Sequence, residues 1–156
     1  MITTRLAVAA DVPVLRRMLQ ALSDHDGGGP VGSEETLLRH GFGERPLFRA
    51  LLADRGGDSL GMVLFYPDYS TMRGQPGTYV QDLWVDEAAR GLGLGKALIG
   101  AAQRFGARDW GSAYVTLGVV PGNTRARSVY ARLGFRPRGY EFLILDGIAL
   151  SQVETA

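Results

Sequence analysis

Apolar positions along the chain change their period several times, and each change marks an element. "TRLAVA" over 4–9 predicts a first strand, and Asp11 after it predicts the N-cap of a helix. Leu15, Met18, Leu19 and Leu22 then recur at helical intervals and form one stripe. "SDHDGGGPVG" has no apolar period and reads as a loop. Ser33 predicts the cap of a short helix through Leu37 and Leu38 that stops at Gly41. "LFRALLAD" and "SLGMVLFY" are apolar runs hinged at "RGGD", which is the pattern of a hairpin.

"PDYSTMRGQPG" reads as another loop, and "TYVQDLWV", with its aromatic and branched residues, as a central strand. A glycine-rich turn follows, then a helix with Leu98, Ile99, Ala102 and Phe105 on its apolar side. "AYVTLGV" predicts a further strand. "NTRARSVYARLGF" predicts a short helix capped by Asn123 and stopped by Gly134, and "YEFLILDG" a last strand. The order predicts an α+β fold in one domain over residues 1–156.

Composition removes several function classes. A chain of 156 residues with 46% hydrophobic and 21% charged residues is that of a globular domain with one sizeable core. A net charge of +1 gives no support to a nucleic-acid or membrane-surface partner. Without cysteine there are no disulfides, thiolate metal sites or cysteine nucleophiles, and His25 and His40 are too few for a histidine-rich metal site. No segment has the length of a membrane helix or the apolar core of a signal peptide, so an intracellular location is expected. His40, late in its helix, favours the helix end.

The turn after "DLWV" carries candidate chemistry. "RGLGLGK" fits neither famous phosphate loop: Gly95-Lys96 has Arg90 where a Walker loop has its first glycine and Ala97 where it has Ser or Thr, and no start satisfies G-x-G-x-x-G. A glycine-rich turn that opens a helix near Leu94 still aims backbone N–H groups and a helix dipole at an anion, with Arg90 and Lys96 at its edges. A diphosphate is the natural guest. Further along, Tyr130 lies one and two helical turns from Ala126 and Asn123.

Arg90-x-x-Gly93-x-Gly95 after a strand, followed at the right distance by Asn123-x-x-Ala126-x-x-x-Tyr130-x-x-x-Gly134-Phe135, resembles the two signatures of the GNAT superfamily of N-acetyltransferases. "RHGFGERPLFRALLAD" and "YPDYSTMRGQPGTYVQDLWV" are similar, within that superfamily, to the diamine (spermidine/spermine) and thialysine acetyltransferases. The likeness runs from Leu37 to Tyr130 and is loose after Phe135.

The resemblance implies a mixed, bent sheet flanked by about four helices, and direct transfer of an acetyl group from acetyl-coenzyme A to a small amine. It implies a coenzyme site of Leu83, Trp84, Val85, Arg90, Gly91, Leu92, Gly93, Leu94, Gly95, Lys96, Asn123, Arg125, Ala126 and Tyr130. The pantetheine arm pairs with the backbone of Leu83 to Val85, an N–H near Trp84 receives the oxyanion, and Tyr130 is the acid that protonates the thiolate. Asp24, His25, Asp26, Tyr69, Gln81 and Asp82 are implied for the amine, with Ser70 and Thr71 beside Tyr69. No metal is required, and the resembling enzymes are homodimers whose C-terminal segments meet at the interface, a role for which "YEFLILDGIAL" is apolar enough.

One departure stands out. The resembling enzymes carry Glu-Asp on the central strand, where this chain has Gln81-Asp82. A glutamine orients an amine or a water but takes no proton. Asp82, His25 or a water chain is then left as base, and strand alternation places Gln81 and Asp82 on opposite faces. Other readings are a different acceptor (an aminoglycoside, an amino acid or a protein N-terminus) and an acyl-coenzyme A sensor without turnover, which Gln81 favours and Tyr130 opposes.

Overall fold

The computed structural model describes residues 1–156. Its contacts divide the chain into two units, Met1–Thr124 and Arg125–Ala156. The first unit holds β1 (Ile2–Leu6), α1 (Val12–His25), α2 (Glu34–Gly41), β2 (Arg49–Arg55), β3 (Asp58–Ser70), β4 (Gln75–Val85), α3 (Leu94–Trp110) and β5 (Val115–Leu117). α4 (Thr124–Leu133) begins at the boundary, and α5 (Gly147–Glu154) lies in the second unit.

The five strands form one mixed sheet in the order β1-β2-β3-β4-β5. The first three pairings are antiparallel, and β4 runs parallel to β5 through the α3 crossover. Two apolar clusters cover its two faces. Val63, Phe65 and Val80 pack with Leu94, Leu98, Ala102 and Phe105 of α3. Leu52, Met62 and Leu64 pack with Leu15, Met18 and Leu19 of α1. Alternation along each strand feeds both clusters, so β2 and β3 are apolar on both sides.

Local chemistry confirms some boundaries and moves others. The Ser33 hydroxyl accepts from the Thr36 N–H at 3.2 Å and caps α2 as expected. Asp11 precedes α1, but its carboxylate turns backward: it accepts from the Val8 N–H at 2.8 Å and from both Arg5 Nη atoms. Arg5 also donates Nε to Asp54 at 2.6 Å, tying β1 to β2. The first strand therefore ends at Leu6 rather than at 9, and the last sheet strand is only the three residues Val115–Leu117.

Two expectations are overturned. "PDYSTMRGQPG" is not a loop: β3 continues to Ser70, β4 starts at Gln75, and only 71–74 turn. The Tyr66 and Tyr79 rings stack across this hairpin, and Gly77 admits the Tyr114 ring where a Cβ would collide with it. "YEFLILDG" is not a strand either, for 135–146 have no regular structure and no sheet partner. An alternating apolar run specifies a face, not a neighbour to bond with. The fold thus has five helices, none buried in the second unit.

The register of β3 against β4 departs from simple alternation as well. Along β3 and β4, Leu64 pairs with Asp82 but Phe65 pairs with Val80, so Gln81 is an extra residue in β4. Such a β-bulge lets two successive side chains share a face. Asp82 lies opposite Leu64, whose cluster belongs to the α1 side, and Gln81 accepts on that same side from the Tyr66 hydroxyl at 2.7 Å. Gln81 and Asp82 therefore stand together, not on opposite faces.

Phe65, fully buried, meets Phe105 at 5.5 Å and Trp110 at 6.2 Å between ring centroids. Phe65→Ala is expected to cost ~3–5 kcal/mol of stability, read by urea denaturation.

Candidate active site

The glycine turn joins β4 to α3. Gly91 and Gly93 hold φ of +82° and +80°, which side chains tolerate poorly, and nothing lies within 4 Å of where their Cβ atoms would be. Gly93 is the N-cap of α3 with no side-chain cap, and the helix makes its first hydrogen bond from Ala97 to the Gly93 carbonyl at 3.0 Å. The N–H groups of Leu94, Gly95 and Lys96 precede that bond, at the positive end of a helix of 17 residues. The turn is a bare, donor-rich concavity. Arg90 does not reach into it. Its guanidinium lies 5.0 Å from the centre of the Trp84 ring and donates to the Val85 carbonyl at 3.2 Å.

The strand beside the turn has an open edge. β4 pairs with β5 only from Thr78 to Val80, and pairing ends at the bulge. The Asp86 N–H donates to Leu60 at 2.8 Å, toward β3. By alternation the backbone groups of Trp84 also face β3, and those of Leu83 and Val85 face the open edge. The edge donors are therefore the Leu83 and Val85 N–H groups, one residue either side of the expected Trp84.

The α1 side of this strand is polar and crowded. The Trp84 ring donates to Asp86 at 2.8 Å and meets His25 edge-on at 6.1 Å. His25 Nδ1 is 3.2 Å from Asp26, and Asp24 instead accepts from Gln20 at 2.9 Å, along its own helix. Burial, reinforced by the negative charge of Asp26, pushes the Asp82 carboxyl up to about 6. The Tyr66 and Tyr79 phenols are also raised, first by burial and then by neighbours that include Asp82 and Asp68. Asp68 accepts from the Tyr114 hydroxyl at 2.6 Å.

The residues expected to meet an amine thus divide. His25, Asp26, Gln81 and Asp82 come together on one face, and Asp24 is held apart by Gln20. Tyr69 is exposed and alternates away from that face, to which Tyr66 and Asp68 belong instead. Sequence reading missed Tyr66, Asp68, Tyr79 and Tyr114. The i, i+2 spacing of Tyr66 and Asp68 was the available signal, hidden by taking the segment as a loop. No group of three or more His, Asp or Glu side chains is placed to hold a metal ion, and no helix is long and apolar enough to cross a membrane.

The second motif lies in α4. The helix starts at Thr124, directly after Asn123, and carries Arg125, Ala126 and Tyr130. It ends on Gly134 at φ +98°, with the Phe135 N–H returning to the Tyr130 carbonyl at 3.0 Å and the two rings 5.5 Å apart.

The Asp82 carboxyl generates a stability prediction. Its folded pKa stands above the ordinary 3.8, so the native state holds the proton more tightly than the unfolded one. Stability therefore falls as pH rises from about 4 to about 6, and the deficit is complete above that window. Asp82→Asn is expected to stabilise the protein at pH 7.5 by up to ~3 kcal/mol and to leave it unchanged at pH 4, in urea melts at the two pH values.

Comparison with known proteins agrees with this geometry. The model of the acetyltransferase (GNAT) family matches residues 16–135, across both motifs. Thialysine N-epsilon-acetyltransferase of Sus scrofa is 31% identical over 96% of this chain and 95% of its own length. The Bos taurus protein of the same name is 34% identical over 65% of this chain and 64% of its own length. Among solved structures, an integron cassette protein of Vibrio cholerae superposes with a TM-score of 0.79 at 19% identity, covering 99% of this chain and 98% of its own. A ribosomal-protein-alanine N-acetyltransferase of Brucella melitensis gives 0.75 at 20% identity, over 94% of this chain and all of its own. At such identities these two show the fold alone. With a bare turn at the start of α3, an open β4 edge beside it and a family match over most of its length, the chain belongs to the GNAT family of acetyl-coenzyme A-dependent N-acetyltransferases.

Proposed function

We propose that the protein acetylates a small, positively charged amine, of the diamine, polyamine or thialysine kind, as a single catalytic domain over residues 1–156. The carrying observation is the carboxylate pair on the α1 side of β4, where the charge of Asp26 acts on Asp82 beside two tyrosine rings. A cluster of like charges on a half-buried face is relieved by a cation, and aromatic rings add to that attraction. The thialysine acetyltransferases that this chain resembles over most of its length support the same class of acceptor.

Each chemical need of the transfer has a proposed residue. The Gly91–Lys96 backbone cradles the diphosphate of the coenzyme, with Leu92 and Leu94 along the turn and Asn123, Arg125 and Ala126 from the second motif. The open edge at Leu83 and Val85 pairs with the pantetheine arm, and an N–H there faces the oxyanion as the carbonyl carbon becomes tetrahedral. Arg90 acts first on Trp84, whose ring it covers, and so fixes the strand end from which the coenzyme is read. Gln81, its carbonyl held by Tyr66, offers its amide nitrogen as a donor but no base. Tyr130 supplies the proton for the departing thiolate.

A homodimer is part of the same proposal. Phe142, Leu143, Ile144 and Ile148 are three-quarters or more exposed in the second unit, an apolar run that a second copy would cover. Sedimentation is expected to show twice the 16.8 kDa chain mass; a monomer at tens of micromolar would discard the dimer.

The function is tested by thiol release from acetyl-coenzyme A across spermidine, short diamines, thialysine, amino acids and aminoglycosides. Amine-dependent release is expected with thialysine or a diamine, and Tyr130→Phe is expected to lower kcat ~10²-fold or more with the coenzyme still bound. Release with an aminoglycoside or amino acid alone would replace the acceptor class. No release with any amine, coenzyme bound, would make the protein a sensor.

A further inference from the structure

The geometry points to Asp82, turned onto the amine face by the bulge at Gln81, as the base that deprotonates the attacking nitrogen. This deepens the proposed acetyl transfer and rests on it. An unbulged strand would leave residues 81 and 82 on opposite sides, and a glutamine at 81 would then face the amine with no proton acceptor beside it. The extra residue changes that arithmetic. Leu64 pairs with Asp82 and Phe65 with Val80, and Gln81 bonds Tyr66 on the same side as Asp82. The carboxylate thus stands beside the glutamine that lacks one.

The groups around it suit the task. From the end of α1 come His25, against Trp84, and Asp26, whose charge acts on Asp82. From β3 come Tyr66 and Asp68, the latter held by the Tyr114 hydroxyl that precedes β5. On β4 itself stand Tyr79, stacked on Tyr66, and Trp84, covered by Arg90 and bonded to Asp86. Arg17 of α1 is 3.5 Å from Asp86, not from Asp82. No cation is bonded to the Asp82 carboxylate, so its place is open to one that arrives with the substrate. Burial and Asp26 together raise Asp82 to about 6, close to neutrality, where a base transfers protons best.

The ammonium gives one proton to the Asp82 carboxylate, which passes it to solvent. The freed lone pair attacks the thioester carbonyl, a C–N bond forms and the C–S bond breaks. Of the two protons the nitrogen loses in all, one is released to solvent and one is matched by the proton that ends on the thiol.

The experiment compares the full chain as wild type, Asp82→Asn and the double variant Gln81→Glu/Asp82→Asn, with acetyl-coenzyme A and thialysine from pH 5 to 9. In the wild type, kcat/KM is expected to rise with pH to a plateau, with an acid limb near pH 6. Asp82→Asn is expected to lose ~10²-fold or more in kcat at pH 7 and to lose that limb, while KM for acetyl-coenzyme A stays within about twofold. The double variant returns a carboxylate to the same face and is expected to recover at least ~10-fold of the loss.

An Asp82→Asn protein that keeps both rate and acid limb overturns the base assignment and leaves the acetyltransferase function standing. A wild type that releases no thiol with any amine overturns both, and so tells the two failures apart. If Asp82→Asn does not bind coenzyme, Asp82→Glu decides: a coenzyme-bound variant that turns over and keeps the acid limb upholds the assignment, and one that turns over at the wild-type rate without an acid limb overturns it.

Discussion

Between Val80 and Asp82, β4 carries one residue that β3 does not match, and the geometry of this end of the strand depends on that surplus. Before it, β4 is a central strand, bonded on one side to β3 and on the other to β5. After it, the partner on the β5 side is gone and the backbone groups of Leu83 and Val85 face an open edge. A bulge both ends a ladder and bends the strand that contains it. Here it also sets Gln81 and Asp82 side by side, so one local feature shapes both the open edge and the polar α1 face.

The core explains why this irregularity is tolerated. Phe65, Val63 and Val80 pack against α3 on one side, and Met62 and Leu64 against α1 on the other. These residues flank the bulge on both faces of the sheet. The face near the bulge is finished with polar contacts rather than apolar ones: Tyr66 to Gln81, Tyr114 to Asp68, Trp84 to Asp86. Asp82 lies among these contacts with no ion pair to offset its burial, and its raised pKa is the sign of that cost. Stability given up at a site is a common mark of function.

Arg90 is held by the strand end rather than by the turn it borders. Beside the glycine turn it had the place of a phosphate ligand, yet its side chain folds back over Trp84 and onto the Val85 carbonyl. Trp84 is thereby held from three directions, by Arg90, Asp86 and His25. The turn itself is bare because glycine at 91 and 93 takes positive φ, which leaves its backbone N–H groups uncovered by side chains.

Much of the protein was legible in its sequence because much of it is local. Helical stripes such as Leu15-Met18-Leu19-Leu22, the Ser33 cap, the hairpin at "RGGD" and the glycine turn are decided by neighbours within a few positions, and all four stand in the fold. The spacing of two motifs was enough to name the family. What sequence could not decide were pairings. Whether "PDYSTMRGQPG" turns or extends depends on Tyr79, Gly77 and Tyr114 across the sheet. Whether "YEFLILDG" becomes a strand depends on a free edge to bond with. Whether Gln81 and Asp82 share a face depends on one unmatched residue, counted only when β3 is laid against β4. Periodicity records which way a side chain points relative to its own strand; register against another strand is a long-range fact, and only the tertiary structure holds it.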